Sequence, residues 1–246
     1  MDTIEITCIA LGRLRLDFPS EKQIAALAFA WDDAANHQVC ILRTSNFHAA
    51  GRVSEYASMV ESADLVLAAS PALSNLAVDK TGAGRTAEAG KAAEAAIRKR
   101  PIAIGEKHRE YLTYFGPPEE EENPFHHYQP LRTLSLFLSA LEQRRGSVFL
   151  VGGSLPTLQK AEMNIRSTFP ELRVVGRTVG DYRERDEAAI MRALQKSAPD
   201  MIIVGSLVRD SELWIPRHMR YTKSGIFFYE SAIMEILAGK RQQAAD

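Results

Sequence analysis

Four stretches of the chain carry residue types that can hold a phosphate, a sugar or a base. The first is Gly152-Gly153-Ser154-Leu155-Pro156, which follows the apolar run Val148-Phe149-Leu150-Val151. Two glycines admit a ligand close to the backbone. Ser154 is placed to cap a helix, and Pro156 suits its first turn. Free N–H groups at such a helix start favour phosphate. A tight strand–helix turn explains the same residues equally well, since neither a dinucleotide fingerprint nor a P-loop is present. The second stretch is Gly180-Asp181-Tyr182. Tyr182 offers a ring to stack on a base or sugar, and Asp181 offers an acceptor to a ribose hydroxyl. A capping turn is the plainer explanation. The third runs from Gly205 through Ser206, Leu207, Arg209 and Asp210 to Glu212, long and polar for a strand–helix connection. Trp214, at helical spacing from Met219, reads as core. The fourth is Thr44-Ser45-Asn46, at the exit of Val39-Cys40-Ile41-Leu42.

Other candidates are weaker. His126 and His127 are adjacent on a loop, and metal binding would need further ligands to converge there, so no metal site is expected. Asp32 and Asp33 are neighbours on a helix and cannot face each other. Cys8 and Cys40 sit in apolar runs and read as small buried hydrophobes. No Ser/His/Asp set, zinc spacing or Walker motif appears.

The elements that must position these residues alternate. Strands are expected over Ile4 to Ala10, Val39 to Thr44, Asp64 to Ala69, Pro101 to Gly105, Val148 to Val151, Leu172 to Gly176, Met201 to Gly205 and Gly225 to Tyr229. Helices are expected after a Ser20 cap and around Val53 to Glu61. Further helices are expected over Thr81 to Arg100, Leu131 to Arg145 (ended by Gly146), Pro156 to Phe169, Glu187 to Ser197, Glu212 to Met219 and Ser231 to Ala238. This order predicts an α/β fold, with a mostly parallel Rossmann-like sheet and helices on both faces. In such sheets ligands bind beyond the carboxyl ends of the strands. The Pro-rich, acidic stretch Tyr111 to Pro130 cannot be a core element. It divides an N-terminal lobe, residues 1–130, from a C-terminal lobe, residues 131–246, and is the first place to look for a protein docking site.

Composition bounds the class. The 246 residues are 46% hydrophobic and 25% charged, with a formal net charge of −1. That balance is ordinary for a globular protein and argues against a nucleic-acid binder. Two cysteines and no basic-then-apolar leader point to a cytoplasmic protein. No run approaches the about 18 apolar residues of a transmembrane helix.

The second half resembles the WecG/TagA/CpsF glycosyltransferases. The resemblance rests on Val148–Gly153, on Phe169-Pro170-Glu171-Leu172-Arg173-Val174-Val175-Gly176 and on Gly180-Asp181-Tyr182. It continues through Asp200–Gly205, Glu212-Leu213-Trp214-Ile215 and Leu237-Ala238-Gly239-Lys240. The first half fits more loosely, through Leu11-Gly12, Thr44-Ser45-Asn46 and Ala63–Leu67. The resemblance implies transfer of a sugar from a UDP-sugar to a lipid-linked sugar, with no cofactor. It puts the nucleotide, UDP or UDP-sugar, near Gly152, Gly153, Tyr182 and Glu212, to which the loop residues themselves add Ser154, Asp181 and Gly205 as candidate contacts. It puts Thr44 and Asn46 near the reacting sugars, and it allows self-association into a homo-oligomer. The departures matter. The family's presumed general base, an Asp, is Ala69 here, followed by Ser70 where the family has Gly. A methyl group cannot take the acceptor's proton, and loss of a general base costs about 10²–10⁴ in rate. Arg209, Asp210 and Ser211 replace the Pro, Lys and Gln of a family loop. Ser231 and Ala232 replace glycines, Glu235 stands for an Asp, and the family's membrane-associating appendage after Lys240-Arg241 is not matched. The expectation is a degenerate member that binds ligand or a protein partner without transfer. The alternative is an active enzyme with a soluble acceptor and a relocated base, for which Glu106 and Asp79 are available.

Overall fold

The computed structural model describes residues 2–31, 35–81, 97–104, 125–222 and 225–240. The elements in chain order are β1 (Asp2–Leu11), β2 (Leu14–Phe18), α1 (Glu21–Ala30), β3 (Asn36–Leu42), α2 (Thr44–Ala50), α3 (Ser54–Ser62), β4 (Leu65–Ala68), α4 (Pro71–Thr81) and β5 (Ile97–Ile104). They continue with α5 (Pro130–Gln143), β6 (Ser147–Val151), α6 (Leu155–Thr168), β7 (Arg173–Thr178), α7 (Glu184–Ser197), β8 (Met201–Val204), α8 (Ser211–His218), a 3₁₀ turn (Met219–Tyr221), β9 (Gly225–Tyr229) and α9 (Ile233–Leu237). A six-stranded sheet runs in the order β4-β3-β9-β8-β6-β7, and a three-stranded sheet in the order β2-β1-β5. The larger sheet, flanked by helices, gives a Rossmann-like α/β fold. No helix among the described residues is long and apolar enough to cross a membrane.

The chain forms two compact units. The first takes in Met1–Ala30 and Cys40–Gln129. Its small sheet is antiparallel. β1 turns at Gly12, whose φ of +72° suits a two-residue hairpin, and returns as β2 with Leu11 opposite Leu14. β5 pairs along β1 from Ile104 opposite Asp2 to Ile97 opposite Ile9. Residues 97–100 are therefore strand, correcting the helix expected there. Their basic composition has little intrinsic preference, and the partner strand decides. Pro101 is tolerated because β5 is an edge strand. Ser20 caps α1 as expected: Gln23 N donates to Ser20 Oγ at 3.2 Å, and Ser20 N to Gln23 Oε1 at 2.9 Å. Cys8 and Cys40 are both buried, and neither forms a disulfide.

The buried centre of this unit is Asp17, fully enclosed on β2. Its carboxylate accepts from Arg15 Nε at 3.2 and 3.3 Å, from Val66 N at 2.9 Å, and pairs with Arg100 at 3.2 Å. The same arginines donate to backbone carbonyls at the end of α3: Arg15 to Glu61 O and Ala63 O, Arg100 to Asp64 O. One carboxylate thus ties β2 and β5 to β4, and two cations satisfy carbonyls that a helix end leaves open. This cluster is not legible as a motif. Asp17 reads locally as a polar residue in a strand.

The second unit takes in Trp31–Val39 and Pro130–Ala244. The early segment belongs here because Trp31 stacks on Phe137 and Asn36 Nδ2 donates to Met219 O and Thr222 O. β6 pairs in parallel with β7 and β8, and β8 with β9. Near-continuous burial of Val148–Val151 and Met201–Val204 explains why these strands read as plain apolar runs. On one face Phe149, Val151, Ile202, Val204, Phe227 and Tyr229 pack against Met191 and Leu194 of α7 and Trp214 and Ile215 of α8. On the other, Phe228 meets Phe137 of α5, and α9 packs on α6. Asp200 fixes the start of the sheet, accepting from Ser147 N and Oγ at 2.7 Å each. Gly146 is not the left-handed residue that ends α5. Arg145 takes that role at φ 53°, and Gly146 lies against Leu141, where a Cβ would come within 3.0 Å.

Candidate functional site

At the carboxyl ends of β6, β7 and β8 three loops lie on one another. Gly205 N donates to Val151 O at 2.8 Å and Gly152 N to Thr178 O at 3.0 Å. Gly180 N donates to Gly153 O at 3.0 Å and Gly153 N to Ser206 O at 2.8 Å. A Cβ on Gly152 (φ +115°) would sit 2.8 Å from Ser206 O, and one on Gly180 would sit 2.6 Å from the same atom. The close approach these glycines permit is thus of loop upon loop, and the N–H groups of Gly152 and Gly153 are already used. Ser154 occupies the N-cap position of α6, but makes no side-chain cap. Its hydroxyl pairs instead with Thr157 Oγ1 at 2.9 Å.

Beside this junction polar side chains gather. Ser206 Oγ donates to Glu235 Oε1 at 2.7 Å, and Lys240 Nζ to Thr157 Oγ1 at 2.9 Å. Gly153 links the two pairs: its N–H holds Ser206, and a Cβ there would lie 3.7 Å from Thr157 Cβ. Glu235 Oε2 is buried without a hydrogen-bond partner among the described residues. An unsatisfied buried carboxylate oxygen is costly, and such atoms in native structures call for an explanation. Sequence reasoning noted Glu235 only as a replaced Asp; its pairing with Ser206, 29 positions away, has no sequence signature.

Tyr182 and α8 face a different space. Trp214 Nε1 donates to Tyr182 Oη at 2.8 Å, and the two border a cleft of about 310 Å³ with Glu187, Arg209, Arg217 and His218. His218 is buried and bridges the helices. Its Nδ1 lies 2.6 Å from Trp214 O and its Nε2 2.6 Å from Glu187 Oε1 of α7. Burial pushes the Tyr182 hydroxyl above its ordinary pKa; the Trp214 hydrogen bond pulls it down and the Glu187 charge pushes it up. Asp181 is exposed and lines a separate groove of about 510 Å³ beside edge strand β7. Glu212 lies in the first turn of α8, its side chain outside the described residues. Of the expected nucleotide residues, Gly152, Gly153, Ser154 and Gly205 therefore gather at the loop junction, while Tyr182 and Asp181 line the two clefts beside α7.

In the first unit Thr44, Ser70 and Ala69 come together at the ends of β3 and β4. Ala69 N donates to Leu42 O at 2.8 Å, and the Thr44 and Ser70 hydroxyls are 3.1 Å apart. Asn46 Oδ1 accepts from Arg43 N at 3.4 Å, which orders the start of α2. Asp79 is exposed, eight residues into α4 from Pro71, so about 12 Å along the axis from the end that adjoins Ser70. Glu106, Asp32 and Asp33 lie outside the described residues. Tyr128 N donates to Ala68 O at 2.7 Å, so the segment carrying His126 and His127 runs past the end of β4. Of the acidic stretch 111–130, residues 111–124 lie outside the described residues.

No curated protein matches the chain. The profile of the glycosyl transferase WecG/TagA/CpsF family matches residues 124–246, half of the 246-residue sequence and the part holding β6 to β9 with the loop junction. The chain belongs to the WecG/TagA/CpsF glycosyltransferase family.

Proposed function

We propose that this protein binds a UDP-sugar through its second unit and has lost the transfer step, acting as a binding or regulatory member of its family. The observation that carries the binding half is Glu235 Oε2, a buried acceptor without a protein partner, beside Ser206 and close to Lys240. A carboxylate suits the edge N–H of a uracil or a ribose hydroxyl, and a lysine at the start of α6 suits a diphosphate. Leu207 is exposed and Arg209 has 85% of its side chain in solvent, so neither fills the space a ligand would need. The loss of transfer rests on Ala69. Its described neighbours at the ends of β3 and β4 are the Thr44 and Ser70 hydroxyls, which ordinarily remain protonated and make poor bases.

Calorimetric titration with UDP and UDP-N-acetylglucosamine tests the reading. Micromolar binding is expected, weakened at least tenfold by Glu235→Ala, and no binding at millimolar ligand would end it. Release of UDP is expected to be absent in the native protein and to appear in Ala69→Asp. Turnover by the native protein on a soluble glycoside acceptor would favour the second reading, an active enzyme with a relocated base. That reading draws on Thr44 and Asn46, the residues near the reacting sugars that the family resemblance keeps.

A further inference from the structure

His218, the last residue of α8, has an acceptor at each ring nitrogen. Nδ1 lies 2.6 Å from Trp214 O, and Nε2 lies 2.6 Å from Glu187 Oε1 of α7. A neutral imidazole carries one N–H and one lone pair. If its N–H faces Trp214 O, the lone pair faces the carboxylate; if its N–H faces Glu187, the lone pair faces the carbonyl. Either way two acceptors would stand against each other at hydrogen-bond distance, on a residue only 8% exposed. Both contacts are satisfied only when the pair holds one proton more than a neutral ring and an ionised carboxylate. The surroundings accept that charge. The Trp214 ring stacks on the imidazole at 4.6 Å, a face that favours a cation, and the Tyr221 ring of the 3₁₀ turn lies 6.2 Å away. The cations around the pair have partners of their own. Arg217 pairs with Asp210 at 2.9 Å, and Arg220 lies over the Tyr221 ring at 5.1 Å. Arg209 and Glu184, 3.9 Å apart, both reach into solvent.

We propose that Glu187 and His218 form a pH-sensitive clamp between α7 and α8, closed while the pair holds its extra proton and released when that proton leaves. Glu187 lies in the first turn of α7 and His218 ends α8, so the contact joins the start of one helix to the end of the other. The same two helices wall the cleft of about 310 Å³ that Tyr182 borders. Trp214 couples clamp to cleft: its carbonyl faces His218, and its Nε1 donates to Tyr182 Oη at 2.8 Å. Once the proton is lost, a hydrogen bond is gone and an unpaired group is left in its place. Glu187 has 40% of its side chain in solvent and turns out to water, while His218 stays with Trp214. The start of α7 then parts from α8, and the cleft opens. Histidine is the side chain whose charge ordinarily changes across physiological pH. The stabilisation is therefore present at low pH and lost as pH rises. The clamp needs no ligand and is independent of the nucleotide reading.

Amide hydrogen exchange of the whole protein at pH 6 and pH 9, with nitrogen-15 spectra of its histidine rings, tests this. At pH 6 both ring nitrogens of His218 are expected to be protonated, and at pH 9 only one. Protection of the amides of Ala188 to Met191 and of Arg217 and His218, corrected for intrinsic exchange, should fall about tenfold or more over that range. Glu187→Gln removes the ionisable partner but keeps the bond, because its amide N–H donates to the lone pair of a neutral ring. In that variant protection of the same amides should stay within about threefold between the two pH values. Equal protection at pH 6 and pH 9 in the native protein overturns the clamp, as does native pH dependence in Glu187→Gln. Should that variant not fold, the native ring spectra decide: a His218 ring already neutral at pH 6 overturns the inference, and a ring that loses its second proton together with the protection upholds it.

Discussion

Gly180→Ala tests the loop junction most directly. Gly180 is not among the residues at positive φ, so the cost of a side chain there is steric and not conformational. The added Cβ would meet Ser206 O at 2.6 Å and Leu207 C at 2.7 Å. Both are backbone atoms that cannot rotate away, so the loop must lift. Overpacking of this kind costs about 1–3 kcal/mol. Lifting Ser206 also breaks the bond from Gly153 N, worth about 1 kcal/mol. Together these give about 2–4 kcal/mol. At about 2–4 °C per kcal/mol for a chain of this size, the melting temperature should fall by about 4–16 °C. The same shift would carry Ser206 away from Glu235, so nucleotide binding should weaken as well. Thermal unfolding followed by circular dichroism reads the first effect, and calorimetry below the transition reads the second. Gly239→Ala is the control. That glycine is at φ +69° with nothing within 4 Å of its would-be Cβ. Its substitution should cost only the conformational penalty, about 1–2 kcal/mol. A Gly180→Ala protein that melts within 1 °C of native would refute the reading of these glycines as packing devices.

Asp17→Asn should destabilise the first unit by about 3 kcal/mol, because two partly buried arginines lose their carboxylate. Urea unfolding that shifts by less than about 1 kcal/mol would show the cluster to be dispensable. Burial, and after it the Asp17 charge, pushes the Cys8 thiol above its ordinary value of 9.0. The folded state therefore holds the neutral thiol. Its contribution to stability is complete below pH 9 and is lost as pH rises through the folded value. Tyr182, raised from 10.0, acts in the same direction about one unit later. Stability measured between pH 8 and 11 should fall steadily, less so in Cys8→Ala, and Cys8 should react slowly with thiol reagents at pH 8. Rapid labelling of the folded protein at that pH would refute the assignment.

The second half was legible in the sequence because local and long-range demands agree there. Runs such as Val148–Val151 and Met201–Val204 are buried on both faces of a parallel sheet, so apolar continuity alone marks them. Gly, Pro and charge mark where helices start and stop, and the family resemblance fell on the same elements. Errors occurred where a partner overrides the local signal. Ile97–Ile104 carries three basic residues and a proline, and is a strand only because β1 runs beside it. Leu14–Phe18 contains a charged residue that tolerates burial only because Arg15, Arg100 and Val66 N converge on it. At the candidate site the glycines were visible, but what they approach was not. A sequence gives the freedom of a glycine, while the atom that comes close to it belongs to another loop, such as Ser206 above Gly152 and Gly180. The same holds for Glu235. Its place on a short helix after β9 is a local matter, but the burial of one oxygen and the pairing of the other depend on chain segments brought together only by the sheet. Periodicity and propensity are sums over neighbours in the chain, whereas burial and hydrogen-bond satisfaction are sums over neighbours in space.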